Sequence, residues 1–258
     1  MSAAFDLDEI LALAISVAES AGAWLMQRPE VLDVHQKTSA VDFATQMDHA
    51  SEKLIVERLL AARPNDGIIG EEGASRPSKS GLTWVIDPLD GTVNYFYGLP
   101  GWNVSIAAKD ETGILAGAVF APSVNTLWSA RRGGGAFQNG LPIHCNDPIA
   151  LNRALISTGF SYDLGLREEQ AVRIHRLIPQ IRDLRRIGAA AVDLCHVAAG
   201  MVDGYFEATL NEWDLAAGGL IAQEAGAIVT GRHGGEPNHE MVIAAGPALH
   251  AQLMAAVD

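Results

Sequence analysis

The sequence predicts an α/β protein, a layered α+β sandwich whose first half holds a largely antiparallel sheet. Helix-type and strand-type apolar patterns are mixed along all 258 residues, as expected where helices lie in layers against sheets. In addition, apolar runs of strand length at 104–108, 114–120 and 126–130 follow one another without a helical pattern between them. That order is typical of neighbouring antiparallel strands and argues against a simple alternation of strands and helices.

Two helices are predicted ahead of this sheet. Over residues 6–27 apolar side chains recur at helical spacing, and Asp6 and Glu9 are placed to cap the first turn. The second helix is predicted over 48–60, because turn-forming residues follow it at 63–67. Short strands are then expected at 68–69 and 83–86.

The second half of the chain alternates between the two patterns. No repeat or low-complexity stretch divides the chain, so residues 1–258 are predicted to form one unit with a soft internal boundary near 146–152. Strands are predicted at 154–158, 204–207, 227–230 and 241–244, and helices at 166–182, 189–199, 215–225 and 247–257.

Composition and charge exclude several classes of protein. The 18 Lys and Arg residues against 31 Asp and Glu residues give a net charge of −13, which disfavours partners such as nucleic acid or an anionic membrane. Apolar runs are far shorter than the roughly 20 residues that a transmembrane helix needs. The acidic N-terminus does not resemble a secretory signal, and two cysteines, Cys145 and Cys195, have no metal or redox spacing. We therefore expect a cytoplasmic protein.

The most informative segment is Asp87-Pro88-Leu89-Asp90-Gly91, which follows an apolar run. Pro88 disfavours a regular continuation of the strand, so both carboxylates can project towards one point. Gly91 permits close approach of the backbone, and a helix starting there would direct free N–H groups to the same point, where they could bind phosphate. Hard oxygen ligands beside a phosphate site are what Mg²⁺ favours. A capped turn with solvated aspartates is the alternative for this segment alone.

Three further acidic residues occupy comparable positions. Glu71 lies between glycines after the strand at 68–69, Asp214 precedes the helix at 215–225, and Asp48 begins the helix at 48–60. Taken singly, Glu71 fits a surface loop, and Asp48 and Asp214 fit helix caps. Taken together, they place acidic groups at the ends of apolar elements, where sites in α/β proteins are usually built.

These segments together resemble the inositol monophosphatase family. The resemblance rests on Gly-Glu-Glu at 70–72, Trp-Val-Ile-Asp-Pro-Leu-Asp-Gly-Thr-Val-Asn at 84–94 and Trp-Asp-Leu-Ala-Ala-Gly at 213–218, and it extends from 37 to about 244. It implies a five-layer αβαβα fold and hydrolysis of small phosphate monoesters that depends on Mg²⁺ and is inhibited by Li⁺. It also implies a homodimer. One departure is the segment 39–45, which lacks a proline that the family often has.

The resemblance also implies a role for individual residues. Two to three Mg²⁺ ions, or Mn²⁺ ions, would be held by Glu71, Asp87, the Leu89 carbonyl, Asp90 and Asp214. A third, weaker ion would lie near Glu71, which is therefore counted with the catalytic pair Thr92 and Asp48 that orients the attacking water. Phosphate and the hydroxyls of the alcohol would be bound by Asp90, Gly91, Thr92, Gly188, Ala189 and Glu207.

The predicted function is hydrolysis of inositol monophosphate or a related polyol phosphate by direct attack of metal-activated water. Fructose 1,6-bisphosphate, histidinol phosphate and 3′-phosphoadenosine 5′-phosphate are alternative substrates within the same fold. A bisphosphate would need a further basic residue, for which Arg185 is the sequence candidate, and a nucleotide would need an aromatic platform that the sequence does not locate. A non-catalytic protein-binding role is the alternative from another class, and a sugar-phosphate sensor without turnover is a third.

Overall fold

Layers of helix and sheet alternate in the order α–β–α–β–α in the computed structural model, which describes residues 5–37 and 42–258. The α-helices of these residues, in chain order, are α1 (Leu7–Leu25), α2 (Gln46–Ala62), α3 (Thr92–Tyr97), α4 (Leu164–Leu177), α5 (Ala190–Ala198), α6 (Glu212–Glu224) and α7 (Pro247–Val257).

The strands form two large sheets and one small ribbon. The strands of the described residues are β1 (Val34–Gln36), β2 (Phe43–Thr45), β3 (Gly67–Gly70), β4 (Ser75–Arg76), β5 (Thr83–Asp90), β6 (Asn103–Asp110), β7 (Gly113–Ala121), β8 (Thr126–Arg131), β9 (Ala136–Gln138), β10 (Leu141–Ile143), β11 (Leu155–Thr158), β12 (Asp183–Arg185), β13 (Gly204–Glu207), β14 (Ile228–Thr230) and β15 (Val242–Ala245). β1 and β2 form the ribbon.

The larger sheet has the order β10-β9-β8-β7-β6-β5-β3-β4, and the smaller sheet the order β12-β11-β13-β15-β14. Helices α1 and α2 cover the outer face of the larger sheet, α5 and α6 lie between the sheets, and α4 and α7 cover the smaller sheet. Each interface buries apolar side chains, such as Ile10 with Trp84, Val119 with Ala217, and Phe206 with Leu253. The predicted α/β layered fold is therefore confirmed.

The predicted antiparallel character of the first sheet is also confirmed. Its strand pairs are antiparallel except for β3 with β5.

The segment 146–152 joins the last strand of the larger sheet to the first strand of the smaller one. Helices α5 and α6 come from the second half of the chain yet pack against the larger sheet. The single unit with a boundary at 146–152 stays a prediction.

Strand β5 differs from its predicted extent. It continues past Ile86 to Asp90, with Pro88 inside it. The register with β6 shifts between Asp87 and Asp90, and this irregularity accommodates a proline that has no N–H to donate to the ladder. The two aspartates therefore come from an irregular strand end and not from a turn that follows the strand.

Two helices begin earlier than predicted. Helix α2 is capped by Thr45 and α6 by Asn211, and in each the aspartate three residues later, Asp48 or Asp214, completes a capping box. Such an aspartate lies within the first helical turn and accepts the N–H of the capping residue. Asp48 and Asp214 are therefore not the N-caps that the single-residue alternative suggested.

Helix α4 is shorter than the predicted 166–182. It ends at Leu177, a 3₁₀ turn follows over Ile178–Gln180, and β12 comes next. β12 pairs in parallel with β11, and such a non-local pairing leaves no local signal in the sequence.

Among residues 5–37 and 42–258, no helix combines the length and hydropathy required to cross a membrane.

Candidate active site

A cavity of about 300 Å³ brings most of the predicted site residues together. It opens where the ends of β3, β5 and β13 meet the starts of α3, α5 and α6. Asp48 lies behind Thr92 and is not on the cavity wall. The predicted residues on the wall are Glu71, Asp87, Leu89, Asp90, Gly91, Thr92, Gly188, Ala189, Glu207 and Asp214.

Asp87 and Asp90 are held by hydrogen bonds at the irregular end of β5. The Leu89 N–H donates to Asp87 Oδ1 at 3.1 Å. Asp90 Oδ2 accepts from Asn103 Nδ2 at 2.8 Å and from the Ala191 N–H at 3.0 Å. Because Ala191 is in α5, Asp90 links the end of β5 to the helix layer between the sheets.

Thr92 and Asp48 form the hydrogen-bonded pair that the resemblance implies. The Thr92 hydroxyl lies 2.9 Å from Asp48 Oδ1 and 3.1 Å from the Leu89 carbonyl oxygen, both of which can accept its single hydrogen. Asp48 Oδ2 accepts from the N–H and the hydroxyl of Thr45, at 2.7 and 2.6 Å. Asp48 is therefore a fixed acceptor, 1% exposed, behind Thr92.

Glu71 projects from a loop whose shape is set by Glu52. The Glu52 carboxylate accepts the N–H groups of Glu72 and Ala74, each at 2.9 Å. Lys37, at the end of β1, places its ammonium group 2.9 Å from Glu71 Oε1 and in contact with Glu72 as well. Glu71 is thus paired with a cation of the chain itself.

Asp214 enters the cavity from the first turn of α6. Its Oδ2 accepts the Asn211 N–H at 2.6 Å, which leaves its other oxygen for the cavity. Trp213 and Asn211 line the same wall. The helix start thus orients the carboxylate that the resemblance counts as a metal ligand.

The carboxylates in this cavity repel one another, and burial disfavours their charged forms. Burial raises the pKa of Asp87 well above its usual value, and the neighbouring charges of Glu71, Asp90 and Asp214 raise it further. Burial also raises the pKa of Asp214 and that of Asp90 to about 6, although hydrogen bonds from Asn103 and Ala191 oppose the latter shift. A divalent cation would relieve this repulsion.

The donor set fits a hard divalent cation. Carboxylate and carbonyl oxygens are the ligands that Mg²⁺ and Mn²⁺ prefer. Of the acidic residues on the wall, four are the predicted ligands, and Leu89, whose carbonyl is the fifth, lies on the same wall. Among residues 5–37 and 42–258, no three His, Cys, Asp or Glu side chains already form a ready-made metal cage.

Glu207 lies on the part of the cavity formed by β13. Its Oε2 accepts the Tyr205 hydroxyl at 2.7 Å, and burial raises its pKa to about 7. Its carboxylate lies against Gly159, where any side chain would collide with it. Near neutral pH this carboxyl can therefore both donate and accept hydrogen bonds, which suits recognition of hydroxyl groups.

Gly91 is required by the close approach of two segments. Its φ is +83°, and a Cβ there would lie 3.2 Å from Ala189 Cβ and 3.4 Å from the Gly188 carbonyl oxygen. Asn94 in α3 donates from Nδ2 to the Ile187 carbonyl at 2.9 Å, which fastens the same two segments together. The start of α3 and the residues before α5 therefore form one continuous wall.

The match to a protein family identifies the class of protein to which this cavity belongs. A model of the inositol monophosphatase family matches residues 6–258. The chain belongs to the inositol monophosphatase family. It is an enzyme, a phosphoric monoester hydrolase.

Individual relatives extend this assignment. The chain is 44% identical over 238 residues to the inositol-1-monophosphatase SuhB of Mycobacterium tuberculosis, covering 87% of this chain and 81% of that one. It is 41% identical over 233 residues to the Nus factor SuhB of Pasteurella multocida, covering 89% and 87%. The solved IMPase of Thermotoga maritima superposes with a TM-score of 0.89 at 32% identity, covering 96% of each chain.

Several residues that line or support this phosphatase's cavity were not found from the sequence. Glu52, Asn103 and Lys37 reach the site only through folding, since each is at least 13 residues from its partner. Tyr162 also lines the cavity, and no local motif identifies it. Arg186 lines the cavity as well, and in the sequence it belongs to a local basic stretch with Arg182 and Arg185. Of the segment 39–45 that departs from the family pattern, residues 39–41 lie outside the described residues.

Proposed function

We propose that this phosphatase is an Mg²⁺-dependent phosphomonoesterase that hydrolyses inositol monophosphate or a related small polyol phosphate to alcohol and inorganic phosphate. The observation that carries the proposal is the convergence of Glu71, Asp87, Asp90 and Asp214 on one cavity beside the Thr92–Asp48 pair. Mn²⁺ takes the same oxygen ligands and is an alternative ion.

The carboxylates and the Leu89 carbonyl would hold two to three metal ions, with the third near Glu71. When bound, Mg²⁺ supplies positive charge against the phosphate dianion and lowers the pKa of a coordinated water. The chain's contribution is the arrangement of oxygen ligands around the phosphate, since phosphoryl transfer depends on placement and charge stabilisation.

Thr92 and Asp48 would orient the attacking water. Asp48 is held by both donors of Thr45 and accepts the Thr92 hydroxyl proton, so the Thr92 oxygen is left to accept a hydrogen bond from water. Gly91 and Thr92 would offer backbone N–H groups to the phosphate oxygens. Asp90, Gly188, Ala189 and Glu207 would bind the hydroxyls of the alcohol.

The reaction is proposed to proceed without a phosphoenzyme. Neither cysteine lines the cavity, in the part of the chain that the structure describes. Burial raises the pKa of both Cys145 and Cys195, which disfavours the nucleophilic thiolate. Direct attack by water predicts inversion of configuration at a chiral phosphate. Net retention would contradict it.

A substrate panel tests the proposed function. Phosphate release is measured from inositol 1-phosphate, fructose 1,6-bisphosphate, histidinol phosphate and 3′-phosphoadenosine 5′-phosphate, each with Mg²⁺ and with EDTA. The proposal predicts release that is lost with EDTA, with inositol 1-phosphate among the best substrates. Release from none of the four by protein shown to be folded would contradict it.

A protein-binding role is a second candidate function. Relatives such as that of Pasteurella multocida bear the name Nus factor SuhB, which is not an enzyme's name. The test is affinity capture from a lysate with the wild-type protein and with Asp90→Asn. A protein-binding role predicts the same captured partner with both, whereas loss of capture with Asp90→Asn would tie binding to the catalytic cavity.

A cytoplasmic homodimer is the proposed state of the protein. Support comes from the family resemblance, from the acidic composition and from exposed apolar side chains such as Tyr97 and Met201. Light scattering after gel filtration tests the subunit number. A mass near 27.4 kDa across the concentration range would contradict the dimer.

A further inference from the structure

One cationic side chain in the cavity is not paired. Lys37 and Arg186 are the two cationic residues on the wall, within the described part of the chain. Lys37 is engaged by Glu71 and Glu72. The Arg186 guanidinium makes neither an ion pair nor a hydrogen bond with any residue in 5–37 or 42–258, although the protein carries 31 acidic residues.

The position of Arg186 is set by Gly188. The backbone at Gly188 has a φ of +92°, and a Cβ there would collide with Arg186 Nη1. The guanidinium therefore lies directly over Gly188, on the wall where the alcohol is proposed to bind. Its charge lowers the pKa of Glu207, Asp193 and Tyr162, so these three groups lie near it.

The nearby carboxyls of Glu207 and Asp193 form no ion pair with this guanidinium. Neither Glu207 nor Asp193 comes within 4.0 Å of it as an ion pair. Glu207 is occupied by the Tyr205 hydroxyl, and Asp193 is 1% exposed. Burial is the main influence on both carboxyls and raises their pKa values, that of Glu207 to about 7. Burial therefore disfavours the charged form of both carboxyls beside a guanidinium that stays protonated.

Arg185, the candidate suggested by the sequence, lies outside the cavity. It is exposed, donates from Nη1 to Asp183 at 2.7 Å, and does not line the cavity. Alternation along β12 and the chain that follows it directs Arg185 and Arg186 differently. The basic residue of the cavity is therefore the next one along the chain.

We propose that Arg186 binds a second phosphate group of the substrate, so that phosphate monoesters whose alcohol carries another phosphate are preferred. The inference rests on the proposed function, in which the first phosphate lies at the acidic cluster. A guanidinium offers paired donors that match a phosphate, and this one is not used by the protein. The hydroxyl of Tyr162, which is 39% exposed on the same wall, is placed to contact the same group.

Matched substrate pairs test the role of Arg186. The pairs are fructose 1,6-bisphosphate with fructose 1-phosphate, and inositol 1,4-bisphosphate with inositol 1-phosphate. kcat/KM is measured for wild type, Arg186→Gln, Arg186→Lys and the control Arg185→Gln. We expect wild type to prefer the bisphosphate in at least one pair. Arg186→Gln should reduce that preference about 10- to 100-fold, the range for a lost hydrogen bond to a charged group, and mainly through KM. Arg186→Lys should restore part of the preference, and Arg185→Gln should leave it unchanged.

Two results would overturn the inference. Either wild type prefers the monophosphate in both pairs, or Arg186→Gln leaves the preference unchanged. In both cases Mg²⁺-dependent release from the monophosphate still stands, so the proposed function survives. If folded wild type releases phosphate from none of the four compounds, the proposed function fails and the inference fails with it.

Discussion

Asp48 sets the direction in which the Thr92 hydroxyl donates its hydrogen bond. Asp48 is buried and holds Thr45 through two hydrogen bonds, so its remaining oxygen is a fixed acceptor for Thr92. Burial raises the pKa of Asp48, while the hydrogen bonds from Thr45 and Thr92 oppose that shift. An ionised Asp48 can only accept, so the Thr92 hydroxyl must donate to it.

Replacing Thr92 tests this direction. Thr92→Val should lower kcat by about 100-fold, as for the loss of a positioned proton-transfer partner. Its stability should fall by about 1–3 kcal/mol because a buried carboxylate oxygen loses its donor. Thr92→Ser should retain most of the activity. The control is Thr126→Val, whose hydroxyl donates to the Val124 carbonyl away from the cavity. Equal kcat for Thr92→Val and wild type would contradict the role.

Glu207 makes a prediction about pH. Burial raises its pKa from 4.5 to about 7, so the folded protein holds this proton more tightly than the unfolded chain. Stability therefore decreases as pH rises between about 4.5 and 7, by at most about 3 kcal/mol at 1.36 kcal/mol per pKa unit. Glu207→Gln, which stays neutral, should match wild type below pH 4.5 and be more stable above pH 7.

Thermal unfolding of the metal-free protein from pH 4 to 8 measures this difference. Other groups titrate in the same range, so only the difference between wild type and Glu207→Gln is informative. Parallel curves over the whole range would show that Glu207 has an ordinary pKa.

At the scale of elements, helix α6 packs unusually closely against its neighbours. A Cβ on Gly218 would lie 2.9 Å from Leu194 Cβ and 3.0 Å from the Ala191 carbonyl oxygen of α5. A Cβ on Gly117 in β7 would lie 2.9 Å from Ala217 Cα. The helix layer that carries Asp214 and positions Asp90 is therefore held close to both neighbours by small residues.

Two adjacent glycines of α6 form a matched pair for testing this packing. Gly218→Ala should lower the free energy of unfolding by about 1–3 kcal/mol because it overpacks the α5–α6 contact. Gly219→Ala meets no atom within 4 Å and should raise it by about 0.5–1 kcal/mol, the helix preference of Ala over Gly. Chemical denaturation measures both. A stabilising Gly218→Ala would contradict the close packing.

Prediction from the sequence succeeded for elements with local signals. The capping pattern and apolar spacing located α1, and the runs at 104–108, 114–120 and 126–130 correspond to β6, β7 and β8. β12 was not predicted, since it is defined by its pairing with β11 and by nothing within its own residues. The observed starts of α2 and α6 precede the predicted ones because a capping box, and not a single capping residue, begins each helix.

Prediction of the site also succeeded where the signal is local in the sequence and failed where it depends on tertiary contacts. Asp87, Leu89, Asp90, Gly91 and Thr92 could be placed together because they are adjacent in the chain. Glu71 and Asp214 were singled out by their positions at the ends of apolar elements, the family resemblance gave them a role and added Glu207, and the structure brings all three to the cavity. Their supporting partners depend on tertiary contacts that no motif encodes, as with Glu52 for the Glu71 loop, Asn103 for Asp90 and Tyr205 for Glu207.

At the scale of the whole molecule, the acidic cluster links metal binding to stability. Carboxylates that repel one another in the folded protein cost stability, and a cation that binds only the folded state restores it by mass action. Mg²⁺ in excess should therefore raise the melting temperature of wild type. Asp90→Asn should show a smaller rise. Equal shifts in the two proteins would place the bound Mg²⁺ elsewhere.

The central claim is that the Asp87–Asp90 cavity performs metal-dependent hydrolysis of a phosphate monoester. The most direct measurement is Mg²⁺-dependent phosphate release by wild type, by Asp90→Asn and by the control Asp183→Asn, an exposed aspartate outside the cavity, with melting temperatures recorded alongside. We predict a loss of about 100-fold or more for Asp90→Asn, the size expected when a group that stabilises transition-state charge is removed, in protein that remains folded, and no loss for Asp183→Asn. Full activity of Asp90→Asn with Mg²⁺ would contradict the account.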